Sequence, residues 1–244
     1  MRFDVITIFP EVFAPFLSAS LLGKAVQAGI VEVGVHNLRD WGVGPHRKVD
    51  DEPFGGGAGM VMAAGPILEA VAAVRREGAR VVLLAAAGRR FDQQLASELA
   101  GAPQVVLVCG RYEGIDDRVT GLAGAESVSV ADVVLAGGEV PALLVVEAVA
   151  RLVPGVLGNL ESLTEESFTG GLLEYPQYTR PAELAGARVP EVLLSGDHGR
   201  VADWRRRERL RRTLALRPEL LAGADLTEAD RAQLAAWEGE SPGE

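Results

Sequence analysis

Two glycine-rich loops of this sequence follow apolar runs and are placed to hold a small-molecule ligand. Residues 109–114 (CGRYEG) follow the run 104–109 (QVVLVC), and residues 135–142 (LAGGEVPA) follow an apparent short strand at 133–135. In open α/β sheets, ligands bind beyond the carboxyl ends of the strands, where glycine lets the backbone approach a ligand closely. The spacing alone also allows glycines that only form turns.

A third segment with chemical potential is 49–60 (VDDEPFGGGAGM), in which four of five successive positions are glycine. Asp50 and Asp51 could hydrogen-bond the edge of a base or bind a divalent metal. A shared metal ion is the weaker hypothesis, because adjacent side chains of an extended chain point to opposite sides. The alternative is a solvated hairpin tip, but exposed loops of this composition often carry function, so we favour a functional role.

Several enzyme classes lack their sequence motifs here. Neither a phosphate-binding G-x-x-x-x-G-K-[ST] loop nor a G-x-G-x-x-G fingerprint is present, which disfavours nucleotide-dependent oxidoreductases and nucleotide triphosphatases. No Cys/His metal cluster and no G-x-S-x-G elbow occur. The lone Cys109 is interpreted as a small buried apolar side chain.

The remaining acid–base candidates are Glu113, Asp116, Asp117, Asp132, Glu139, Glu165 and Glu166.

A basic segment stands out in a chain whose net charge is −10. Residues 200–217 hold eight arginines against Asp203 and Glu208. Such a segment can bind nucleic acid locally although the whole protein is acidic. The alternative is a solvated helix face that pairs with the acidic tail.

The elements that must position these residues follow an alternating pattern. Apolar runs predict strands at 3–9, 31–36, 80–86 and 104–109, and helical patterns lie at 19–28, 66–77, 91–100 and 118–123. This alternation predicts an α/β domain with a mostly parallel sheet. No signal-peptide pattern or membrane-length apolar run is visible, so we expect a cytoplasmic enzyme.

The character of the chain changes after about residue 155. A polar, glycine-ended stretch at 159–171 predicts a linker or lid, and a basic helix follows at 199–216. A last helix is predicted at 227–237, where Thr227 and Asp230 have the spacing of a capping box.

Taken together and in order, the motifs resemble the bacterial tRNA (guanine-N1)-methyltransferases, the TrmD family of the SPOUT superfamily. The resemblance covers nearly the whole chain. It is carried by the segments 8–13 (IFPEVF), 37–40 (NLRD), 46–51 (HRKVDD), 53–60 (PFGGGAGM), 107–116 (LVCGRYEGID), 137–141 (GGEVP), 153–158 (VPGVLG), 178–181 (YTRP) and 189–196 (VPEVLLSG).

The resemblance implies a SPOUT-type, mostly parallel α/β sheet with a deep trefoil knot in residues 1–158. An interdomain linker or lid would span 159–174, and a small helical tRNA-binding domain would span 175–244. Family members transfer a methyl group from S-adenosylmethionine to N1 of the guanine just 3′ of the tRNA anticodon. By match, the cofactor would contact Leu83, Leu84, Ala85, Gly110, Tyr112, Gly114, Val130, Ala131, Asp132, Val133, Val134, Leu135, Gly137, Gly138 and Pro141.

The resemblance also implies the groups that handle the RNA. The family is dimeric, with active sites shared between subunits, and no membrane is involved. Glu166 falls where relatives carry a catalytic aspartate, and Arg151 matches an arginine that stabilises charge on the guanine. The anticodon stem-loop would contact His46, Asp50, Gly55, Gly56, Gly57, Gly59, Arg111, Glu113, Ser162, Arg205 and Arg209. Magnesium is compatible with this chemistry, although no motif indicates it.

Two departures from the family pattern define the alternatives. Glu166 is one methylene longer than aspartate, and the adjacent Glu165 could compete for its role. Residues 84–88 (LAAAG) lack the Ser-Pro pair usual in relatives. The cofactor site is expected to persist despite this second departure. The change from aspartate to Glu166 alone supports the second hypothesis, a catalytically silent RNA-binding protein of the same fold.

Overall fold

The computed structural model describes residues 1–158 and 165–239. The chain divides into two compact units, residues 1–158 and 159–244. Ser162, predicted to contact RNA, lies outside the described residues. In the described ranges, no helix combines the length and the hydropathy needed to span a lipid bilayer.

The first unit is built on a five-stranded parallel sheet. Its strand order is β2-β1-β6-β5-β7, and every neighbouring pair is parallel. A separate two-stranded antiparallel hairpin joins β3 and β4. The strands are β1 (Arg2–Thr7), β2 (Glu32–Asn37), β3 (Asp50–Asp51), β4 (Val61–Met62), β5 (Arg80–Arg90), β6 (Gln104–Cys109) and β7 (Glu126–Ser129).

Helices cover both faces of this sheet, because its central strands are apolar on both sides. On β6, Val105 and Leu107 face one apolar core, while Val106 and Val108 face the other. The helices of this unit are α1 (Ala14–Leu17), α2 (Ser20–Gln27), α3 (Ala64–Val74), α4 (Gln93–Ala100), α5 (Arg118–Ala123) and α6 (Glu139–Ala150).

The second unit is mainly helical. Leu172, Leu210 and Leu234 form its buried core, so part of the expected linker packs within this unit. Its elements are the strands β8 (Glu183–Leu184) and β9 (Ala187–Arg188) and the helices α7 (Glu191–Leu194), α8 (His198–Leu216) and α9 (Glu228–Gly239).

The α/β class and parallel sheet predicted from the sequence are confirmed, as are the four strands and four helices predicted in the first unit, within a few residues at their ends. The predicted capping box of α9 is also confirmed. The Thr227 N–H donates to Asp230 Oδ2 at 2.8 Å, and the Asp230 N–H donates to Thr227 Oγ1 at 3.2 Å.

The strand predicted at 133–135 was wrong. These three apolar residues are exposed and lie in an irregular loop, whereas the strand of this region is β7, four to nine residues earlier. β propensity reflects packing on a half-buried sheet surface. Val133, Val134 and Leu135 have no strand beside them to pack against.

Candidate active site

A cavity of about 450 Å³ opens beyond the carboxyl ends of β6 and β7, beside the irregular middle of β5. Most of its wall comes from residues 83–87, 110–117, 127–131 and 133–138. This volume lies in the range of ligand-binding pockets. The cavity is therefore the candidate active site of the first unit.

The first wall is a detour within β5. Both Leu84 and Arg89 pair with Val128 of β7, so residues 85–88 loop out of the ladder towards the cavity. Gly88 closes this detour against β7. A Cβ atom there would lie 2.3 Å from the Val128 nitrogen, so only glycine allows this approach.

The two glycine-rich loops meet at the cavity. The Gly138 N–H donates to the Gly110 carbonyl at 2.8 Å. A Cβ on Gly138 would lie 2.7 Å from the Cα of Cys109, and one on Gly110 would lie 2.8 Å from the Leu84 carbonyl oxygen. Backbone therefore packs on backbone here, and the glycines are required by close approach rather than by turn conformation alone.

Tyr112, between Gly110 and Gly114 in the first loop, has a strained backbone conformation. Its φ of 59° is in the left-handed region, and its ring is 45% exposed at the cavity wall. A bulky residue at positive φ persists only where the surroundings enforce it, and such strain often occurs at ligand-binding sites.

A buried ion pair fixes the first loop to α6. Glu139 is 2% exposed, and its Oε2 lies 2.8 Å from Arg111 Nη2 and 2.9 Å from Arg111 Nε. Its other oxygen accepts a hydrogen bond of 2.7 Å from the Thr7 hydroxyl. The Arg111 guanidinium also lies over the Phe9 ring, 4.4 Å from its centroid.

Cys109 lies beside this pair, and its thiol is unreactive. The thiol is 1% exposed, and burial, with a further contribution from Glu139, raises its pKa well above the ordinary value. A thiol that stays protonated is a poor nucleophile. The predicted structural role of Cys109 is therefore confirmed.

The β3–β4 hairpin is attached to the cavity wall. The Glu113 N–H donates to the Met60 carbonyl at 3.0 Å, and the Met62 N–H donates to the Gly114 carbonyl at 2.9 Å. The glycine-rich tip of the hairpin is thus held next to the loop 110–117. No group of three or more acidic, histidine or cysteine side chains in the described ranges is placed to hold a metal ion.

A second cavity, of about 270 Å³, lies within the second unit against α8. The Tyr175 hydroxyl donates to Glu165 Oε2 at 2.5 Å, and Arg205 Nη1 lies 3.4 Å from the same oxygen. The Arg205 guanidinium also covers the Tyr175 ring at 4.7 Å. Burial, followed by the bond to Glu165, raises the pKa of Tyr175, so its hydroxyl remains a donor.

Comparison with known proteins agrees with these features. A family model described as tRNA (Guanine-1)-methyltransferase TrmD matches residues 1–223. The chain belongs to this family. Curated relatives named tRNA (guanine-N(1)-)-methyltransferase include one from Geobacter sp. (strain M21), 51% identical over 233 residues that cover 95% of this chain and 94% of the relative. Another, from Chloroflexus aggregans (strain MD-66 / DSM 9485), is 54% identical over 244 residues that cover 97% and 95% of the two chains.

The residues that the TrmD resemblance assigned to the cofactor meet at one place. Asp132 is the one assigned residue that does not line the first cavity, although its neighbours Ala131 and Val133 do. The assigned residues that line it are Leu83, Leu84, Ala85, Gly110, Tyr112, Gly114, Val130, Ala131, Val133, Val134, Leu135, Gly137, Gly138 and Pro141.

The residues assigned to RNA are more dispersed. Arg111 and Glu113 line the first cavity, whereas Arg205 and Arg209 line the second. His46 is exposed in the turn before the hairpin. The hairpin itself carries Asp50, Gly55, Gly56, Gly57 and Gly59.

The two assigned catalytic residues belong to different units. Arg151 is half-buried and directly follows α6 as its C-cap, and its N–H donates to the Glu147 carbonyl at 3.3 Å. Glu166 is half-buried in the second unit, directly after Glu165.

Sequence reasoning missed several residues of the cavity wall. Thr120 of α5 and Ser127 and Ser129 of β7 contribute hydroxyl-bearing side chains there. Recognising β7 would have found the two serines, because they alternate with the buried Val128. Asp116 and Asp117, considered only as single acids, also line the cavity, and hydrogen bonds from Arg118 lower the pKa of Asp116.

Proposed function

We propose that this protein transfers a methyl group from S-adenosylmethionine to N1 of the guanine just 3′ of the anticodon in tRNA. Membership of a family of tRNA (guanine-1)-methyltransferases supports both the tRNA substrate and the methyl donor. The observation that carries the proposal is the first cavity, whose walls bring together the glycine-rich loops assigned to the cofactor.

The chemistry of this cavity fits S-adenosylmethionine. Gly110, Gly137 and Gly138 line the cavity without side chains, so this part of its wall offers backbone groups to a ligand. The exposed apolar side chains of Val133, Val134 and Leu135 suit the adenine ring. When bound, S-adenosylmethionine supplies a methyl group that its sulfonium has already activated.

The protein must then remove the proton from guanine N1. We assign this step to the carboxylate of Glu166, since a positioned carboxylate can act as general base. Arg151 would stabilise the negative charge that develops on guanine O6. The adjacent Glu165, whose Oε2 accepts from the Tyr175 hydroxyl and lies 3.4 Å from Arg205 Nη1, is the alternative base.

The wider organisation is proposed from the family as well. The segments 83–88, 110–114 and 130–141 would be the loops of a trefoil knot, and the presence of residues from all three in the wall of one cavity supports this topology. We further propose a homodimer with composite sites. Val140 and Leu144 of α6 are exposed apolar side chains suited to such an interface.

The RNA would contact both units. In the first, we assign His46, Asp50, Arg111, Glu113 and the glycines of the hairpin to the anticodon loop. In the second, residues 175–244 would form the tRNA-binding domain, with Arg205 and Arg209 near the phosphates and 159–174 as the connecting lid. Phosphate contacts by arginine would make tRNA affinity fall with rising salt.

The decisive experiment measures transfer of tritiated methyl groups from S-adenosylmethionine to an unmodified tRNA transcript. We expect stoichiometric incorporation, and none when adenine replaces the guanine 3′ of the anticodon. Equal incorporation into both transcripts would reject the substrate assignment. Binding of tRNA without any incorporation would favour the silent RNA-binding protein.

A further inference from the structure

Phe54 is the most exposed large apolar side chain in the described part of the chain. Its exposure is 100%, and it stands at the tip of the β3–β4 hairpin. Single exposed apolar residues are common on protein surfaces. The backbone around Phe54, however, is an ordered turn in a hairpin that is attached to the candidate active site.

A tight turn presents the ring. The Gly56 N–H donates to the Pro53 carbonyl at 3.2 Å, and Gly55 between them has a φ of +88°. This is the pattern of a type II turn, in which Phe54 occupies the first central position and Gly55 the second. The side chain therefore projects from a turn whose conformation glycine supplies without steric strain.

The hairpin that carries the ring is attached to the wall of the cavity. Its far strand is hydrogen-bonded to the loop 110–117 through the pairs Glu113–Met60 and Met62–Gly114. Gly59 packs so closely on Glu113 that a Cβ atom would lie 2.3 Å from the Glu113 carboxylate. The tip and the cavity wall are thus parts of one connected structure.

The charges around the tip favour a base over a phosphate. Asp50, Asp51 and Glu52 directly precede the turn, and Asp51 and Glu52 are exposed. Carboxylates repel the phosphate backbone, but they accept hydrogen bonds from the amino groups of base edges. An aromatic ring among such groups is suited to stacking on an unpaired base.

An aromatic ring at this position would have a defined role in the proposed reaction. To reach the cavity, the target guanine must leave the base stack of the anticodon loop, and a neighbouring base then loses a stacking partner. We propose that Phe54 stacks on a base that flanks the target guanine and so holds the opened loop. This inference rests on the proposed function and adds a positioning residue to it.

The experiment is a double-mutant cycle in single-turnover methyl transfer, with the full-length protein and tRNA transcripts. Phe54→Ala is expected to lower kcat/KM roughly tenfold to a hundredfold, the usual range for a lost base–aromatic stack. Phe54→Trp should retain most activity. Phe54→Leu, which keeps apolar bulk without a ring face, should resemble Phe54→Ala, and a wild-type rate for it would overturn the proposal.

The second arm of the cycle removes a base. In transcripts with an abasic nucleotide on the 5′ or the 3′ side of the target guanine, the Phe54→Ala penalty should nearly vanish for one of the two. Equal penalties on intact and both abasic transcripts would refute stacking, because independent changes are additive. No transfer by the unaltered protein to intact tRNA would instead reject the proposed function.

Two further measurements separate stacking from a role in folding or assembly. Phe54→Ala should leave S-adenosylmethionine affinity and the sedimentation coefficient unchanged. It should also keep the salt dependence of tRNA binding, since no phosphate contact is lost. A weakened cofactor site or a change in oligomeric state would overturn the proposal.

Discussion

Glu139 and Arg111 form an ion pair in which a carboxylate at the buried start of α6 lies 2.8 Å from a guanidinium on the first glycine-rich loop. Thr7, at the end of β1, donates to the same carboxylate. Three separate elements are therefore joined beneath the cavity. Because the charge of Glu139 is buried, loss of one partner would leave the other charge uncompensated and would destabilise the fold.

We predict that Glu139→Gln destabilises the first unit by about 2 kcal/mol and weakens S-adenosylmethionine binding, because Arg111 loses its charged partner. Urea unfolding and calorimetric titration measure the two effects. Glu98→Gln is the matched control. It breaks an exposed ion pair with Arg89 and should leave both measurements unchanged. Identical urea midpoints for Glu139→Gln and wild type would contradict this account.

Gly138→Ala should abolish measurable cofactor binding, because a Cβ atom would lie 2.7 Å from the Cα of Cys109 and 2.9 Å from the Gly110 nitrogen. The backbone of both loops would have to shift. Gly121→Ala is the control, since a Cβ atom in that helix would have no heavy atom within 4 Å. It should leave binding intact and raise stability by about 0.5–1 kcal/mol. Equal affinities for the two variants would show that the close approach is not required.

The elements that sequence predicted well are those with a dominant apolar pattern. β6 was predicted with its observed bounds because all six of its residues are buried. α5 was predicted with its observed bounds as well. By contrast, β7 carries only one large apolar residue, Val128, and the apolar residues 133–135 serve a cavity wall instead of a sheet.

The candidate site could be predicted from the sequence only in part. The glycine-rich loops are visible in the sequence, and the family resemblance gathers them into one pocket. The ion pair of Glu139 with Arg111 joins residues 28 positions apart. It depends on how α6 packs, which cannot be predicted from a local sequence pattern. The detour of β5 at 85–88 likewise depends on its pairing with β7.

We predict that Glu166→Gln lowers the single-turnover rate at least a hundredfold and leaves cofactor affinity unchanged, as expected on loss of a general base. Glu165→Gln should cost less than about tenfold, because its amide oxygen can still accept from Tyr175. The rate of the Glu165→Gln variant should keep the wild-type pH dependence. The reverse ranking would make Glu165 the base.

Two arginines of α8 should differ in what their removal does to stability. Arg209 donates to the carbonyls of Thr169, at 2.8 Å, and Leu173, at 3.3 Å, so Arg209→Ala should destabilise the second unit by about 2 kcal/mol. Arg212 is exposed on the same helix. Arg212→Ala should keep stability but reduce the slope of log affinity against log salt for tRNA by about 1. An unchanged slope would remove Arg212 from the RNA contact.

Acidic pH should lower the folding stability of the second unit, because it protonates Asp230. Hydrogen bonds from Arg206, and then from Thr227, lower the pKa of Asp230 to about 2 although its side chain is only 7% exposed. Because this pKa lies below the usual 3.8, the stabilisation is fully present above pH 3.8 and is lost as the pH falls towards 2. The loss amounts to about 2 kcal/mol.

Asp230→Asn tests this directly, since it removes the titrating group. Urea unfolding followed by the fluorescence of Trp204 and Trp237, in a Trp41→Phe background, reports on the second unit. We expect the variant to be less stable than the parent at pH 6 and the difference to shrink as the pH falls from 4 to 2. Asp203→Asn, at an exposed position of α8, should retain the steep acid dependence of the parent. A constant difference between Asp230→Asn and the parent across this range would mean that the Arg206 pair does not couple folding to the titration of Asp230.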